Sequence, residues 1–193
     1  MTTPSRASLD TEQVVEAAVV LADAEGLDAI TLTRVADELG VKQPALYRHV
    51  DNFDALVRFL GLRGREILLA RLTDAVVGVS GDDAVRSLGR AWREMARDHP
   101  GVYAATDRYP CAGDPELEEA VEAVVEVIAQ SLVSFDLSAE QTVVVARSLR
   151  SAFHGFAHLE AGDGHPHPMD LDDSFDQLVD LLIAGTKSLS RAL

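Results

Sequence analysis

The chain has 193 residues, which suffices for one or two domains with a substantial buried core. Its composition is ordinary for a globular protein, with 47% hydrophobic and 5% aromatic residues, and no apolar run reaches the roughly 18 residues that cross a bilayer. A formal net charge of −15 argues against a protein that attracts DNA non-specifically.

The first predicted helix begins at a cap near Leu9 and Asp10 and ends at Gly26. Its apolar residues recur at helical spacing and form one inner face, made of Val14, Ala18, Leu21 and Ala22. Such a face predicts packing against the helices that follow.

A short second helix is predicted next, with Val35, Ala36 and Leu39 on one face. Thr31 or Thr33 can cap its start. Gly40 ends it, because glycine accepts the positive φ of a helix terminus.

The third predicted helix has Pro44 in its first turn, and Leu46 and Val50 point inward at i,i+4. The outward set is polar and aromatic: Gln43, Ala45, Tyr47, Arg48 and His49. Two short helices with a tight turn are typical of a helix-turn-helix, whose second helix enters the DNA major groove. There Arg48 can pair with guanine, Gln43 with adenine, and Ala45 can meet a thymine methyl.

The rest of the chain is predicted to be helical, without repeats or β-alternation. A long fourth helix begins near Asn52 and fades between Gly78 and Gly81. The later helices are predicted at 82–99, 102–108, 115–135, 138–162 and 171–189. Within this set, Ser138 and Gln141 form a predicted capping box.

Residues 10–60 resemble the DNA-binding domain of the tetracycline-repressor (TetR) family. The matching positions are Thr31, Val35, Ala36, Gly40, Val41, Leu46, Tyr47, His49, Val50, Asn52 and Leu56. The resemblance implies an all-α protein of about nine helices, in which a three-helix helix-turn-helix domain (1–52) is joined by the long fourth helix to a C-terminal bundle (53–193). That bundle would bind an effector and form the dimer.

The same resemblance implies roles for single residues. Thr33 and Arg34 would face phosphates, Gln43, Pro44, Ala45 and Arg48 would face bases, and Tyr47 and His49 would anchor to the DNA backbone. Lys42 completes the predicted DNA-binding set. The family usually has a lysine after Asn52, where this chain has Phe53 and Asp54. A phosphate contact would be lost there unless Arg58 replaces it.

Charge is distributed unevenly along the chain. From Arg34 to Arg65 there are six basic and four acidic residues, whereas the part after Arg65 carries ten basic and twenty-two acidic ones. We therefore expect weak non-specific DNA binding and reliance on a cognate site.

The stretch 150–160 resembles a helix of one common C-terminal domain of the family, the HG-motif type. Together with the last helix it predicts a four-helix dimer seam, formed by Phe153, Phe156, Phe175, Leu178 and Leu182. The alternative is that both apolar stripes pack within their own subunit.

An apolar effector pocket is predicted between helices. Its candidate residues are Trp92, Met95, His99, Tyr103, Tyr109 and Phe153. An aromatic and methionine stripe is more often plain core, and this alternative stays open.

Other chemistry finds little support in the sequence. His154 and His158 have a spacing that can hold zinc, with His165 and His167 beyond, but no cysteine or carboxylate completes a clear set, so we predict no metal and no cofactor. No hydrolase, phosphate-loop or metalloprotease motif is present, so we predict no catalysis. A single cysteine, Cys111, and an N-terminus without an apolar export segment predict a cytoplasmic protein with no membrane partner.

The sequence as a whole predicts a transcriptional regulator. The most specific hypothesis is a ligand-responsive repressor that binds a palindromic double-stranded DNA operator as a homodimer and releases it when a small-molecule effector binds. The alternative is a helical ligand- or protein-binding module whose N-terminal domain no longer binds DNA.

Overall fold

The structure, a computed structural model, describes residues 9–108 and 111–190. Its α-helices are α1 (Thr11–Glu25), α2 (Leu32–Glu38), α3 (Phe53–Ala75), α4 (Gly81–Asp98), α5 (Pro100–Arg108), α6 (Pro115–Ser131), α7 (Ala139–Ala161) and α8 (Leu171–Ser190). Short 3-10 helices are Leu27–Ala29, Gln43–Arg48 and Val133–Phe135. The described residues contain no strand, and the predicted all-α class of about nine helices is confirmed if Gln43–Arg48 is counted with the eight α-helices.

Side-chain caps explain where several helices begin. At α7 the predicted capping box is present, because Ser138 Oγ accepts from the Gln141 N–H at 3.2 Å and Gln141 Oε1 accepts from the Ser138 N–H at 2.8 Å. An unpredicted box of the same kind joins Asp10 and Gln13 at α1. At α3, Asn52 Oδ1 accepts from the Ala55 N–H at 2.8 Å, so this helix begins where the sequence predicts.

One predicted helix, 115–135, is wrong in its last turn. α6 ends at Ser131, and the chain tightens into the 3-10 helix Val133–Phe135. Asp136 then adopts a left-handed conformation with φ of 54°, which an α-helix cannot contain.

The chain divides into two compact units. The first comprises described residues 9–64 and 100–108, and the second comprises 65–99 and 111–190. Each unit therefore holds part of α3, whose residues 53–64 belong to the first and 65–75 to the second. The predicted boundary between a DNA-binding domain (1–52) and an effector-binding domain (53–193) stays a prediction, because the two units are defined by packing and not by function.

In the first unit, α5 packs closely on α1. The backbone N–H groups of Gly101 and Val102 both donate to Asp23 Oδ1 at 3.0 Å, which caps the start of α5. Gly101 has to be a glycine at this crossing, since a Cβ there would lie 2.0 Å from the Ala22 carbonyl oxygen. The predicted inner face of α1 is confirmed, and all four of its residues are buried.

The core of the second unit is built around an aromatic cluster. Ring centroids lie 6.4 Å apart for Trp92 and Phe153, 6.0 Å for Phe153 and Phe175, and 4.9 Å for Phe156 and Phe175. Phe153 and Phe175 are 1% exposed and Phe156 is 9% exposed. These three phenylalanines therefore belong to the core of their own subunit, which corrects the prediction that they face a second copy; Leu178 and Leu182 are half-buried.

None of the described helices combines the length and the apolar character that a membrane span needs.

The Gly101→Ala substitution is expected to destabilise the protein by about 1–3 kcal/mol or more, because the added methyl group would force α5 away from the α1 backbone. Urea unfolding followed by circular dichroism measures this. Ala104→Gln, at an exposed position of the same helix, is the control and should leave the free energy of unfolding unchanged. Equal stability of the two variants would mean that the crossing is not tightly packed.

Candidate nucleic-acid interface

The turn after α2 is closed by a Schellman motif. Thr31 Oγ1 caps the start of α2 by accepting from the Arg34 N–H at 3.1 Å. At the other end, the Gly40 N–H donates to the Asp37 carbonyl at 3.1 Å and the Val41 N–H donates to the Ala36 carbonyl at 2.9 Å. Gly40 has φ of +63°, so the prediction that a glycine ends this helix is confirmed.

The segment Gln43–Arg48, called here the recognition helix, is anchored by two apolar side chains. Leu46 is 0% exposed and Val50 just after it is 2% exposed. It is a short helix, as the sequence predicts, of the 3-10 type and six residues long, with Pro44 in its first turn. Its inward side is fixed by this burial, so the opposite side faces solvent.

The solvent-facing side carries the predicted DNA-binding residues. Lys42, Pro44, Tyr47 and Arg48 are exposed, whereas Gln43, Ala45 and His49 are half-buried. Tyr47 is 50% exposed although it is a large aromatic residue. This combination of exposed aromatic, amide and guanidinium groups matches what reads base edges and contacts phosphates.

A chain of hydrogen bonds links α2 to the recognition helix. Thr33 Oγ1 donates to Gln43 Oε1 at 3.1 Å, and Gln43 Nε2 donates to the Tyr47 hydroxyl at 3.1 Å. The Gln43 amide is thereby oriented between two hydroxyl groups. The sequence predicts the three residues as contacts but not their mutual bonding.

Arg34 is held by two carboxylates. Its Nη2 lies 2.6 Å from Glu25 Oε1, and its Nη1 lies 3.2 Å from Glu38 Oε2. The hydrogen bonds that Arg34 donates to Glu25, with those and the charge of Glu38 added, raise the pKa of Arg34 above its usual value. A phosphate contact by Arg34 would therefore require exchange of these carboxylates, which the sequence prediction did not include.

Only one of the two acidic partners of Arg34 can be predicted from the sequence. Glu38 follows Arg34 at i,i+4 on α2, a spacing that the sequence displays. Glu25 comes from the end of α1, nine positions earlier, and no local pattern indicates it.

The first unit is acidic as a whole. Its described residues include six basic and eleven acidic side chains, for a formal net charge of −5. Arg63 pairs with Glu12 and Arg108 pairs with Asp28. Lys42 and Arg48 form no ion pair among the residues that the structure describes, so they are the cations best placed to meet DNA.

The residues of the predicted effector pocket do not share one unit. Trp92, Met95 and Phe153 are buried in the core of the second unit, and Tyr103 is buried in the first. His99 is half-buried at the end of α4, and Tyr109 lies outside the described residues. Their role in effector binding stays a prediction.

The histidines form no metal-binding site among the residues that the structure describes. The rings of His154 and His158 are stacked with centroids 6.1 Å apart, and His165 packs against Phe156 at 4.8 Å. No group of three metal-ligating side chains is found among described residues.

Two family models match this chain. Residues 14–58 match "Bacterial regulatory proteins, tetR family", and residues 85–182 match "Tetracyclin repressor-like, C-terminal domain". An uncharacterised HTH-type transcriptional regulator of Mycobacterium tuberculosis is 37% identical over 180 residues, which cover 93% of this chain and 82% of that protein. An uncharacterised HTH-type transcriptional regulator of Bacillus subtilis is 29% identical over 181 residues, which cover 93% of this chain and 94% of that protein.

Solved structures share the fold at low sequence identity. A protein of unknown function from Rhodococcus has a TM-score of 0.78 at 21% identity, covering 95% of this chain and 98% of its own. A TetR-type transcriptional regulator from Streptomyces coelicolor has a TM-score of 0.74 at 19% identity, and the match covers 95% of this chain and 100% of that chain.

The Glu25→Gln substitution is expected to strengthen binding to a duplex of random sequence, because it removes the closer of the two carboxylates on Arg34 and leaves only the exposed Glu38 to exchange with a phosphate. The slope of log affinity against log salt should become more negative by about 0.9. Fluorescence polarisation across a sodium chloride series measures both quantities.

The matched control is Glu16→Gln, which makes the same charge change at an exposed site on α1. If Glu25→Gln and Glu16→Gln shift affinity and slope equally, the Arg34 guanidinium is not restrained by its carboxylates.

Proposed function

This chain belongs to the TetR family of transcriptional regulators, and from that premise we propose that it is a ligand-responsive repressor acting as a homodimer on a pseudo-palindromic operator. The observation that carries the proposal is the recognition helix, whose polar side is exposed because Leu46 and Val50 are buried beneath it. In a dimer, two such helices would enter successive major grooves with centres about 34–36 Å apart.

We assign direct base reading to Gln43, Ala45 and Arg48. Arg48 has an exposed guanidinium without an ion pair among the described residues, which suits bidentate pairing with guanine. The amide of Gln43 is already oriented by Thr33 and Tyr47, so it would meet an adenine with little loss of side-chain freedom. Pro44 would contact the same groove.

Phosphate contacts are assigned to the residues around these base readers. Thr33, Lys42, Tyr47 and His49 would position the recognition helix on the DNA backbone. Arg34 would join them only after leaving Glu25 and Glu38. We therefore expect a small phosphate contribution to affinity, with recognition depending on the base contacts.

Exposed small and apolar residues on α7 and α8 form the proposed dimer seam. On α8, Leu181 is 72% exposed, and Leu178, Leu182, Gly185 and Leu189 recur at helical spacing around it. On α7, the outward side includes Val144, Ser148, Ser151, Gly155 and Leu159. A Cβ at Gly155 or Gly185 would have no atom within 4 Å in the single chain, so both positions leave room for close approach of a partner helix.

Effector control would act through the helical second unit. A small molecule that binds one conformer more tightly shifts the population toward it, and a coupling of about 1–3 kcal/mol changes operator affinity by roughly 5–150-fold. Because α3 is one continuous helix from Phe53 to Ala75, a shift at its C-terminal half would move the recognition helices of a dimer out of register.

The remaining assignments follow from this role. Residues 1–52 would read DNA, and residues 53–193 would bind the effector and dimerise. The protein would act in the cytoplasm on a DNA target, and it would have no catalytic role, as is usual for a regulator of this family.

A second candidate function is a helical binding module that has lost DNA affinity. The observations that favour it are Phe53 at the position of the usual lysine and the net charge of −5 on the first unit. Polarisation titration with the DNA upstream of the protein's own gene, at low salt, separates the two. Sequence-selective binding supports the repressor, and its absence supports the module.

Arg48→Ala is expected to relax selectivity at one base position of each half-site, at a cost of about 1–3 kcal/mol. Lys42→Ala should instead weaken binding to all DNA sequences alike. It should also make the slope of log affinity against log salt shallower by about one. Titration of an operator with each single-base variant, at several salt concentrations, distinguishes the two effects. Identical profiles for both variants would mean that these roles are assigned wrongly.

Leu181→Glu is expected to convert the dimer to a monomer, because it places a charge at the centre of the proposed seam. Size-exclusion chromatography with light scattering measures the mass. Val77→Glu is the matched control, since Val77 is 75% exposed but follows α3 and lies outside the seam. A Leu181→Glu protein that remains dimeric would place the seam elsewhere.

A further inference from the structure

A cleft between α4 and α8 in the second unit is lined by three arginines and was not predicted from the sequence. Arg90, Arg93 and Arg97 lie on one face of α4, and Asp172 and Asp176 of α8 lie opposite them. The cavity has a volume of about 270 Å³, and Glu94 and Phe175 complete its wall. This size suits a small organic molecule.

Arg93 is a rigid donor at the base of the cleft. Its side chain is 9% exposed, and its Nε and Nη2 both donate to the Glu160 carboxylate at 2.7 Å. The guanidinium carbon lies 5.3 Å and 5.1 Å from the ring centroids of Phe156 and Phe175. The hydrogen bonds from Arg93 lower the pKa of Glu160, so this pair stays charged. Only the remaining nitrogen, Nη1, faces Asp172.

The two aspartates of α8 are held more loosely than Glu160. Asp172 lies 2.8 Å from Arg93 Nη1 and 4.0 Å from Arg97, and its side chain is 77% exposed. Asp176 lies 3.8 Å from Arg90 with a side chain 55% exposed. Exposed ion pairs of this kind contribute little to stability, so another carboxylate can exchange with them at small cost.

We infer that this cleft is the effector site and that it binds a small organic dicarboxylate, which displaces Asp172 and Asp176 from the three arginines; this inference rests on the proposed function. The two aspartates are four residues apart on α8, which places their Cβ atoms about 5–6 Å apart. A ligand with two carboxylates at a similar separation reproduces the pair. Guanidinium groups bind carboxylates through two parallel hydrogen bonds, which the exposed Arg90 and Arg97 can supply, while Arg93 offers the Nη1 that now faces Asp172.

In the exchange the arginines keep carboxylate partners. Two carboxylates of the protein turn toward solvent, and two carboxylates of the ligand replace them, while Glu94 and Glu160 keep their places. A neutral or cationic ligand that displaced the two aspartates would leave the arginines without these partners.

Ligand exchange would also release the start of α8. Asp172 and Asp176 join its first two turns to α4, and Leu178 and Leu181 of the proposed seam follow on the same helix. Removal of these ion pairs would change the polar contacts between the first two turns of α8 and α4, while Phe175 keeps the helix packed. The cleft is thereby linked to the surface that sets the dimer geometry.

Isothermal titration of the full chain with glutarate tests the inference. We expect saturable binding of one glutarate per chain, weakened by about tenfold or more in the Arg90→Ala/Arg97→Ala double variant. Both arginines are more than half exposed, at 62% and 58%, so this variant should fold. The Asp172→Asn/Asp176→Asn variant should bind glutarate about tenfold more tightly, because it lacks the internal competitor.

The matched control is Arg86→Ala. Arg86 also lies on α4 and pairs with Asp180 at 2.5 Å, but it does not line the cleft. It should leave glutarate binding unchanged. Absence of glutarate binding, or equal binding by the Arg90→Ala/Arg97→Ala variant, would overturn the inference. Equally tight binding of acetate or inorganic phosphate would overturn the dicarboxylate class.

A parallel operator titration separates this inference from the proposed function. Glutarate is expected to weaken operator binding by the wild-type chain and not by the Arg90→Ala/Arg97→Ala variant. If glutarate binds the cleft but operator affinity is unchanged, the cleft is not the effector site and the inference fails while the repressor remains. If no operator binds under any condition, the proposed function itself fails.

Discussion

Burial of Leu46 and Val50 is the constraint that exposes the polar side of the recognition helix. These two side chains fix the rotation of a six-residue helix that is too short to be stable by itself. The Schellman turn at Gly40 sets the direction in which that helix leaves α2. With both fixed, the side that carries Gln43, Tyr47 and Arg48 has to face solvent, where DNA can reach it.

The charges of the first unit oppose DNA binding, and they limit which residues are available to contact DNA. The first unit carries a net negative charge, and Arg34 is neutralised by Glu25 and Glu38. A surface of this kind would gain little from counterion release, so we expect its affinity for random DNA to be low. Under the proposed function, selectivity would then rest on a few exposed groups without carboxylate partners among the described residues, above all Arg48. The second unit also pairs arginines with carboxylates, and there the pairs differ in exposure: Glu160, on Arg93, is 15% exposed, whereas Asp172 is 77% exposed.

The sequence predicted those features that depend on neighbours along the chain. Helix starts at Asn52 and Ser138, the glycine end of α2 and the inward pair of the recognition helix all follow from spacings of three or four residues. It missed features that depend on distant residues, such as Glu25 on Arg34, Asp23 at the start of α5, and the cleft between α4 and α8. The apolar stripe of Phe153, Phe156 and Phe175 was assigned to a dimer seam, because periodicity identifies a buried face but not the surface that buries it.

The most direct test of the central claim is protection of guanine N7 from dimethyl sulfate on bound operator DNA. N7 lies in the major groove, so the measurement reports what the recognition helices contact. Guanines in two major grooves about one helical turn apart are expected to be protected, and Arg48→Ala is expected to lose that protection. Operator binding with every guanine N7 left reactive in both wild type and variant would contradict it.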